Sequence, residues 1–190
     1  MRSRQARAGD LLELHASLRD IDPPVWRRIR VPAEATFGVL HDVLQVVFDW
    51  DNDHLHDFEV GHIHFSAGDD DILVIDEDVA PLGAVLRTGS KLLYRYDYGD
   101  DWQHDIKVER IVDGRAGPEL VCLDGKRAAP PEDCGGPGGY EDKLAALADP
   151  EDDEHDAAEE WFGRGFDPER FDLAGVNKRL AALAKRIFSA

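Results

Sequence analysis

Two histidines spaced two residues apart are the first candidates for metal chemistry in this chain. His54 and His56 begin a segment, residues 54–60, whose pattern predicts a β-strand. Alternate residues of a strand project from the same face, roughly 6.5–7 Å apart, so both imidazoles can reach a single ion. His104 offers a third nitrogen from another predicted strand. We therefore predict a zinc, manganese or iron site with these three histidines as ligands.

The same histidines have a second interpretation. Carboxylates such as Asp57 and Asp105 lie beside them in the sequence, and a neighbouring negative charge favours the imidazolium form. The histidines would then form ion pairs on a polar face of the sheet and would bind no metal. The spacing leaves both interpretations open.

Aromatic and acidic side chains are densest in residues 94–104. Tyrosines alternate along the first half of this segment and the alternation resumes at Trp102, which predicts two strands joined by a tight turn at Gly99. Aspartates at such a turn could bind a cation or exchange protons, although they more often accept hydrogen bonds from their own backbone. We expect a binding surface here that includes Tyr96, Asp97, Asp100, Trp102 and His104.

A second part of that surface is predicted in the Gly- and Pro-rich segment at residues 130–140. Cys134 precedes a predicted helix, and a helix N-terminus together with a base such as His104 can activate a thiol. Cys134 and Cys122 lack the Cys-x-x-Cys spacing of structural zinc sites, so a purely structural loop is the simpler interpretation. The residues predicted to contribute to the surface are Arg127, Glu132, Asp133, Cys134 and Tyr140.

The hydrophobic pattern predicts an α+β fold of one domain, residues 1–190. It comprises a mostly antiparallel sheet with an early packed helix, in a β-grasp-like order of β-hairpin, helix and strands, and a helical C-terminal part. Its portions are a sheet-plus-helix part (10–112), a Gly/Pro-rich loop (113–139) and a helical part (140–190). The predicted elements are a hairpin at 12–31, a helix capped by Thr36, a Gly-Asp turn at 67–71, a short apolar segment at 72–75, a hairpin at 91–111, and helices at 140–148, 156–162 and 172–188.

The charge of the chain restricts its partners. Forty acidic and 22 basic residues give a formal net charge of −18, which repels nucleic-acid phosphates and anionic membranes. Direct nucleic-acid binding is therefore disfavoured, although local basic patches remain around Arg27 to Arg30 and in residues 178–186.

No apolar run suggests a membrane span or a signal peptide, and two cysteines fit a reducing compartment. We expect a cytoplasmic protein.

Several motifs together resemble the plasmid pRiA4b ORF-3-like family. They are His54-Leu55-His56-x-Phe58, Tyr94-x-Tyr96-Asp97-x-Gly99-Asp100-x-Trp102-x-His104, Cys122-x-x-Gly125-x-Arg127-Ala128, Pro130-Pro131-Glu132-Asp133-Cys134-Gly135-Gly136-x-x-Gly139-Tyr140 and Phe166-Asp167-Pro168-Glu169-x-Phe171-Asp172. The resemblance implies an α+β protein encoded on plasmids or beside transposable elements, and it carries over no catalytic residue. Ala129 stands where many members have a cysteine, which argues against a three-cysteine site.

Three functions follow as hypotheses. The first is a binding or accessory module of mobile elements that acts through a protein partner, and the negative charge favours a basic one. The alternative is a metal-dependent hydrolase, in which the three histidines hold the ion and Asp100 or Glu132 acts as the base. An accessory role in DNA recombination is a second alternative that follows from the resemblance.

Overall fold

A computed structural model describes residues 4–67, 74–114 and 120–188 of the chain. Within these ranges the polypeptide forms one eight-stranded sheet and five helices, which confirms the predicted α+β class. The predicted turn at 67–71, the apolar segment at 72–75 and the loop at 113–139 lie partly outside the described residues.

The predicted helices and strands are present with shifted boundaries, and strands at 63–66 and 121–126 add to them. The chain begins with β1 (Asp10–Leu18), β2 (Trp26–Pro32), α1 (Phe37–Phe48), β3 (His56–Val60), β4 (Ile63–Ser66) and β5 (Val74–Asp76). It continues with α2 (Leu82–Val85), β6 (Lys91–Tyr96), β7 (Trp102–Asp113) and β8 (Val121–Lys126). The C-terminal part contains α3 (Gly136–Ala148), α4 (His155–Phe162) and α5 (Leu173–Phe188).

The strand order brings two of the predicted motifs to one end of the sheet. The order is β5-β4-β3-β6-β7-β1-β2-β8, and among the described strands only β4 and β5 pair in parallel. At the end of the β6–β7 hairpin Tyr96 pairs with Trp102, and β3 begins beside it with His56 opposite Tyr96. The segment before β3 and the turn after β6 are therefore neighbours.

One face of the sheet is apolar and is covered by α1. Thr36 caps this helix as predicted, because its hydroxyl accepts a hydrogen bond from the Val39 backbone N–H at 3.2 Å. The Phe37 ring stacks on Phe65 with centroids 4.0 Å apart, and Phe48 at the other end of the helix contacts His104 at 4.6 Å. The helix therefore crosses the sheet from β4 to β7 and buries the aromatic side chains between the two layers.

The opposite face of the sheet is polar and its charges are paired across strands. Glu13 is almost completely buried between Arg30, at 2.8 Å, and Arg110. Burial alone would raise its pKa, but hydrogen bonds from the two arginines outweigh that effect and the pKa of Glu13 is lowered. Arg28 likewise pairs with Glu109 at 2.7 Å. Arg28 and Arg30 thus form no open basic patch.

Helix α5 packs along the edge strand β8. The Asn177 side chain accepts a hydrogen bond from the Cys122 N–H at 2.8 Å and donates one to the Cys122 carbonyl at 2.9 Å. The amide thus satisfies backbone groups that an edge strand leaves unpaired. None of the helices in the described ranges is long and apolar enough to cross a lipid bilayer.

The segment predicted as a loop at 113–139 contains the strand β8, which corrects that prediction. β8 pairs with β2 in antiparallel register, and Cys122 projects into the core while Val121 and Leu123 are half-buried. Six residues flanked by glycine, proline and carboxylates carry too weak an alternation to identify a strand from sequence. Pairing with β2, which the sequence pattern of this segment does not reveal, stabilises the strand.

Candidate functional site

Three side chains from separate parts of the chain meet at the end of the sheet. His54 precedes β3, Asp97 follows β6 and Asp133 lies in the loop before α3. One nitrogen of His54, Nδ1, is 3.8 Å from an Asp97 oxygen, and the other, Nε2, is 3.3 Å from an Asp133 oxygen. Their candidate ligand atoms all lie within 4.8 Å of one another. We call His54, Asp97 and Asp133 the acidic corner.

Asp97 is held in place by its own turn. Its backbone N–H donates to the Leu55 carbonyl at 2.9 Å, and its side-chain Oδ1 accepts the Gly99 N–H at the same distance. Its backbone has a φ of 57°, a left-handed conformation that aspartate tolerates better than most residues. The turn thus directs a carboxylate that is only 11% exposed towards His54.

The loop that carries Asp133 is anchored to the sheet through Glu132 and Trp50. The Tyr96 hydroxyl donates to Glu132 Oε1, and the Asp51 N–H donates to Glu132 Oε2 at 3.0 Å. The Trp50 indole N–H donates to the Pro130 carbonyl at 2.9 Å. Burial and the neighbouring Glu132 raise the pKa of Tyr96, so its hydroxyl stays protonated and able to donate.

The loop also packs against the turn after β6. The Gly135 N–H donates to the Asp100 side chain at 3.0 Å. A Cβ at Gly136, whose φ is +68°, would lie 2.4 Å from the Asp100 carbonyl oxygen, so this close approach requires glycine. The two segments predicted to share one surface are therefore in direct contact.

The acidic corner can hold either a proton or a metal ion. A protonated His54 would form ion pairs with both carboxylates, whereas a neutral His54 could donate a lone pair to a cation. In the part of the chain that the structure describes, neither Asp97 nor Asp133 has a lysine or arginine as ion-pair partner. The corner therefore has more negative than positive charge of its own.

The predicted set of three histidines is not brought together. His56 contacts both oxygens of Glu77 at 3.0 Å, and its ring stacks on His41 with centroids 3.4 Å apart. His54 lies outside β3 and has different partners, so the expected common strand face does not form. The acidic corner is the one set of three metal-ligating groups found among the described residues.

His104 lies in the core and has no access to the acidic corner. Its ring is fully buried and contacts Phe48, Trp50 and Tyr94. Burial lowers its pKa from 6.5 to about 3, so the imidazole is neutral near pH 7. The role of His104 is therefore core packing, as is that of the neighbouring aromatic rings.

Most of the residues predicted for the binding surface are buried, which corrects that prediction. The buried members are Tyr96, Trp102, His104, Arg127, Cys134 and Tyr140, whereas Asp100, Glu132 and Asp133 reach the surface and Asp97 does so slightly. The large rings are needed in the core because they fill the space between sheet and helices. The motif thus combines a core of aromatic residues with a rim of carboxylates.

The cysteines are unsuited to nucleophilic chemistry. Cys122 and Cys134 are both buried and free. Burial raises the pKa of each thiol to about 11, so neither is ionised near neutral pH. This favours the structural interpretation of the loop that contains Cys134.

Comparison with known proteins identifies the family. Residues 10–175 match the model of the plasmid pRiA4b ORF-3-like proteins, so the chain belongs to that family. A relative from Sinorhizobium fredii, the uncharacterized protein y4hQ, is 37% identical over 93% of both chains. The crystal structure of a protein of unknown function, MM3350 from Methanosarcina mazei Go1, is similar with a TM-score of 0.83. It is 38% identical, and the match covers 88% of this chain and 98% of that one.

The anchoring of the loop predicts the effect of removing one hydroxyl. Tyr96→Phe leaves Glu132 without its buried donor and the Asp53 N–H without its acceptor at 3.1 Å. We expect a loss of about 1–3 kcal/mol in the free energy of unfolding, measured in urea, and faster hydrogen exchange in residues 132–135. Tyr98→Phe, at a side chain that is mostly exposed, is the matched control and should cost less than about 0.5 kcal/mol. Equal effects of the two variants would contradict this role of Tyr96.

The burial of His104 predicts how stability depends on pH. Below pH 6.5 the unfolded chain binds a proton at this residue that the folded chain, with a pKa of about 3, does not bind. Stability should therefore fall as the pH is lowered from 7 towards 4, and this residue contributes up to about 1.4 kcal/mol per pH unit. His104→Leu should make the fall shallower in urea unfolding at each pH. An unchanged slope would contradict a buried neutral imidazole.

Proposed function

For this member of the plasmid pRiA4b ORF-3-like family, we propose binding of a divalent cation by His54, Asp97 and Asp133. The observation that carries the proposal is the convergence of their three ligand atoms within 4.8 Å of one another. One imidazole and two carboxylates suit zinc, manganese or iron, the metals that the sequence suggests. The two carboxylates would balance the charge of a dication.

The surroundings of the acidic corner favour a cation. Asp51, Asp53 and Asp101 are exposed carboxylates in the segments that form it, and the whole chain has a net charge of −18. Such a field raises the local concentration of cations. Asp133 is 68% exposed, so an ion can enter from solvent without a rearrangement of the core.

Three protein ligands leave coordination positions open for water, as in catalytic zinc sites. Of the two predicted bases, Glu132 is engaged by hydrogen bonds at both oxygens, whereas Asp100 accepts the Gly135 N–H through only one oxygen. Hydrolysis assisted by the metal would therefore depend on Asp100 rather than on Glu132.

The test is the metal content of untagged protein after equilibration with zinc or manganese and removal of free ions. We expect about one ion per chain in the wild type. Asp133→Asn keeps the shape and the left-handed backbone, whose φ is 56°, but should weaken binding by at least roughly tenfold in calorimetry. His54→Ala should have a similar effect.

Asp101→Asn is the matched control, because Asp101 is an exposed aspartate with a φ of 52° in the neighbouring turn. It should bind metal as the wild type does. If all three variants bind equally, or if the wild type retains no ion, the acidic corner is an ion-paired structural corner and the proposal fails.

A second candidate function, docking of a basic protein segment, is supported by apolar side chains beside the acidic corner. Leu55 is 73% exposed and follows His54, and Tyr98 is 56% exposed and follows Asp97. Exposed apolar groups next to carboxylates fit a segment that carries both lysine or arginine and an apolar anchor. This candidate keeps the protein partner predicted from the charge.

The docking candidate predicts that a lysine-rich peptide with leucine anchors binds the wild type and that salt weakens this binding. Leu55→Ser should reduce the affinity by about 1–2 kcal/mol, measured by fluorescence anisotropy. Val79→Ser is the matched control, since Val79 is 69% exposed at a different place in the sequence. Equal affinities of the two variants would show that the peptide senses only the net charge.

A further inference from the structure

Arg27 is an arginine that lies on the apolar face of the sheet and is buried there. Arg27, in β2, alternates with Ile29 and Val31 of the strand and with Val25 just before it. These three residues are fully buried, and Arg27 itself is only 2% exposed. Its guanidinium lies over the Phe171 ring at 4.0 Å and over Phe48 at 5.1 Å. A cation is thus held between two aromatic rings inside the protein.

The hydrogen bonds of Arg27 use only part of its guanidinium. Nε donates to the Val47 carbonyl at 2.8 Å, and Nη1 donates to the carbonyls of Trp26 and Lys126 at 2.8 and 2.9 Å. Within the described ranges, Nη2 has no hydrogen-bond partner and no carboxylate pairs with this side chain. Burial lowers the pKa of Arg27 to about 10, so it remains charged at neutral pH.

Arg27 lines a cleft of about 480 Å³ between the end of α1, the loop at 128–131 and the segment at 162–179. Its other lining side chains include Phe166, Phe171 and Arg170. A volume of this size, lined by aromatic side chains together with charged groups, suits a small organic ligand that carries a charge.

The carboxylates in the Arg27 cleft are engaged elsewhere. Asp49 pairs with Arg179 at 3.0 Å, and the side chains of Asp167 and Asp172 accept the N–H groups of Glu169 and Gly175, each at 2.9 Å. These contacts fix the turn before α5 and the start of that helix. Among the described residues, none of these carboxylates forms an ion pair or a hydrogen bond with the buried guanidinium of Arg27.

We propose that the Arg27 cleft binds a small aromatic anion, whose carboxylate or phosphate accepts hydrogen bonds from Arg27 and whose ring packs on Phe166 and Phe171. A guanidinium prefers carboxylate and phosphate because its planar donors match their oxygens. Arg170 adds positive charge among the lining residues, and the rings of Phe166 and Phe171 offer an aromatic anion contacts that an inorganic ion cannot make. The site is separate from the acidic corner and does not depend on metal binding.

The probes are benzoate and phenyl phosphate, with benzamide as an uncharged analogue and inorganic phosphate as an anion without a ring. Titrations followed by NMR of ¹⁵N-labelled protein should show at least one aromatic anion binding with a Kd of about 1 mM or tighter. Amide signals of residues 128–129 and 165–172 should shift. Benzamide and inorganic phosphate should bind at least about tenfold more weakly. The two aromatic anions together distinguish a carboxylate from a phosphate ligand.

Arg27→Met keeps the bulk of the side chain and should weaken anion binding by at least about tenfold. The matched control is Arg28→Met, since this neighbouring arginine lies on the opposite face of the sheet and pairs with Glu109. If Arg27→Met does not fold, Phe166→Ala at the half-buried wall should weaken the aromatic anions and leave inorganic phosphate unchanged. The proposal is overturned if the wild type binds neither aromatic anion more tightly than benzamide, or if the shifts lie outside the cleft.

Discussion

The hydrogen bond between the Tyr96 hydroxyl and Glu132 determines the arrangement of this end of the molecule. It joins the last residue of β6 to the loop before α3, two segments between which the described residues form no backbone–backbone hydrogen bond. Its neighbour, the Trp50 indole bond to Pro130, ties the end of α1 to the same loop. Because Glu132 is fixed at both oxygens, the adjacent Asp133 is held opposite His54. The geometry of the acidic corner is therefore a consequence of a buried polar contact rather than of the exposed residues themselves.

A sheet with one apolar and one polar face imposes the second constraint. On the polar face, carboxylates and arginines of neighbouring strands neutralise one another, as Glu13 does with Arg30 and Arg110. On the apolar face, aromatic residues accommodate the few polar groups, and His41 forms hydrogen bonds to the Tyr94 hydroxyl at 2.8 Å and to Asn52 at 2.6 Å. The core thus supplies partners for His41, whereas both ring nitrogens of the neighbouring His104 have no hydrogen-bond partner among the described residues.

The sequence predicts the elements whose periodicity is local and misses the contacts that depend on the third dimension. The Thr36 cap, the aromatic hairpin and the apolar stripe of α5 follow from spacing alone. The acidic corner does not, because His54, Asp97 and Asp133 are separated by more than thirty residues and meet only when β3 pairs with β6 and the loop docks on Trp50. The His54-x-His56 spacing predicts a metal ligand at His56, but the ring of His56 contacts Glu77 and stacks on His41. The burial of Arg27 could be predicted from the sequence, because Arg27 alternates with the apolar residues Val25 and Ile29.

The two candidate sites share a physical origin in unequal local charge. Several ion pairs in the described structure join one acid to one base, as Arg4 with Asp10 and Arg186 with Asp42, and such balanced pairs leave little net charge to attract a ligand. The acidic corner has two carboxylates for one imidazole. The Arg27 guanidinium forms no ion pair with a carboxylate of the described residues and lies at low exposure, where water screens its charge poorly. The second imbalance is the more informative one in a chain of net charge −18, because Asp49, the carboxylate that acts on Arg27 from nearby, forms its ion pair with Arg179 instead. A buried cation in an acidic protein is electrostatically costly unless something else neutralises it, and an anion from solution would do so.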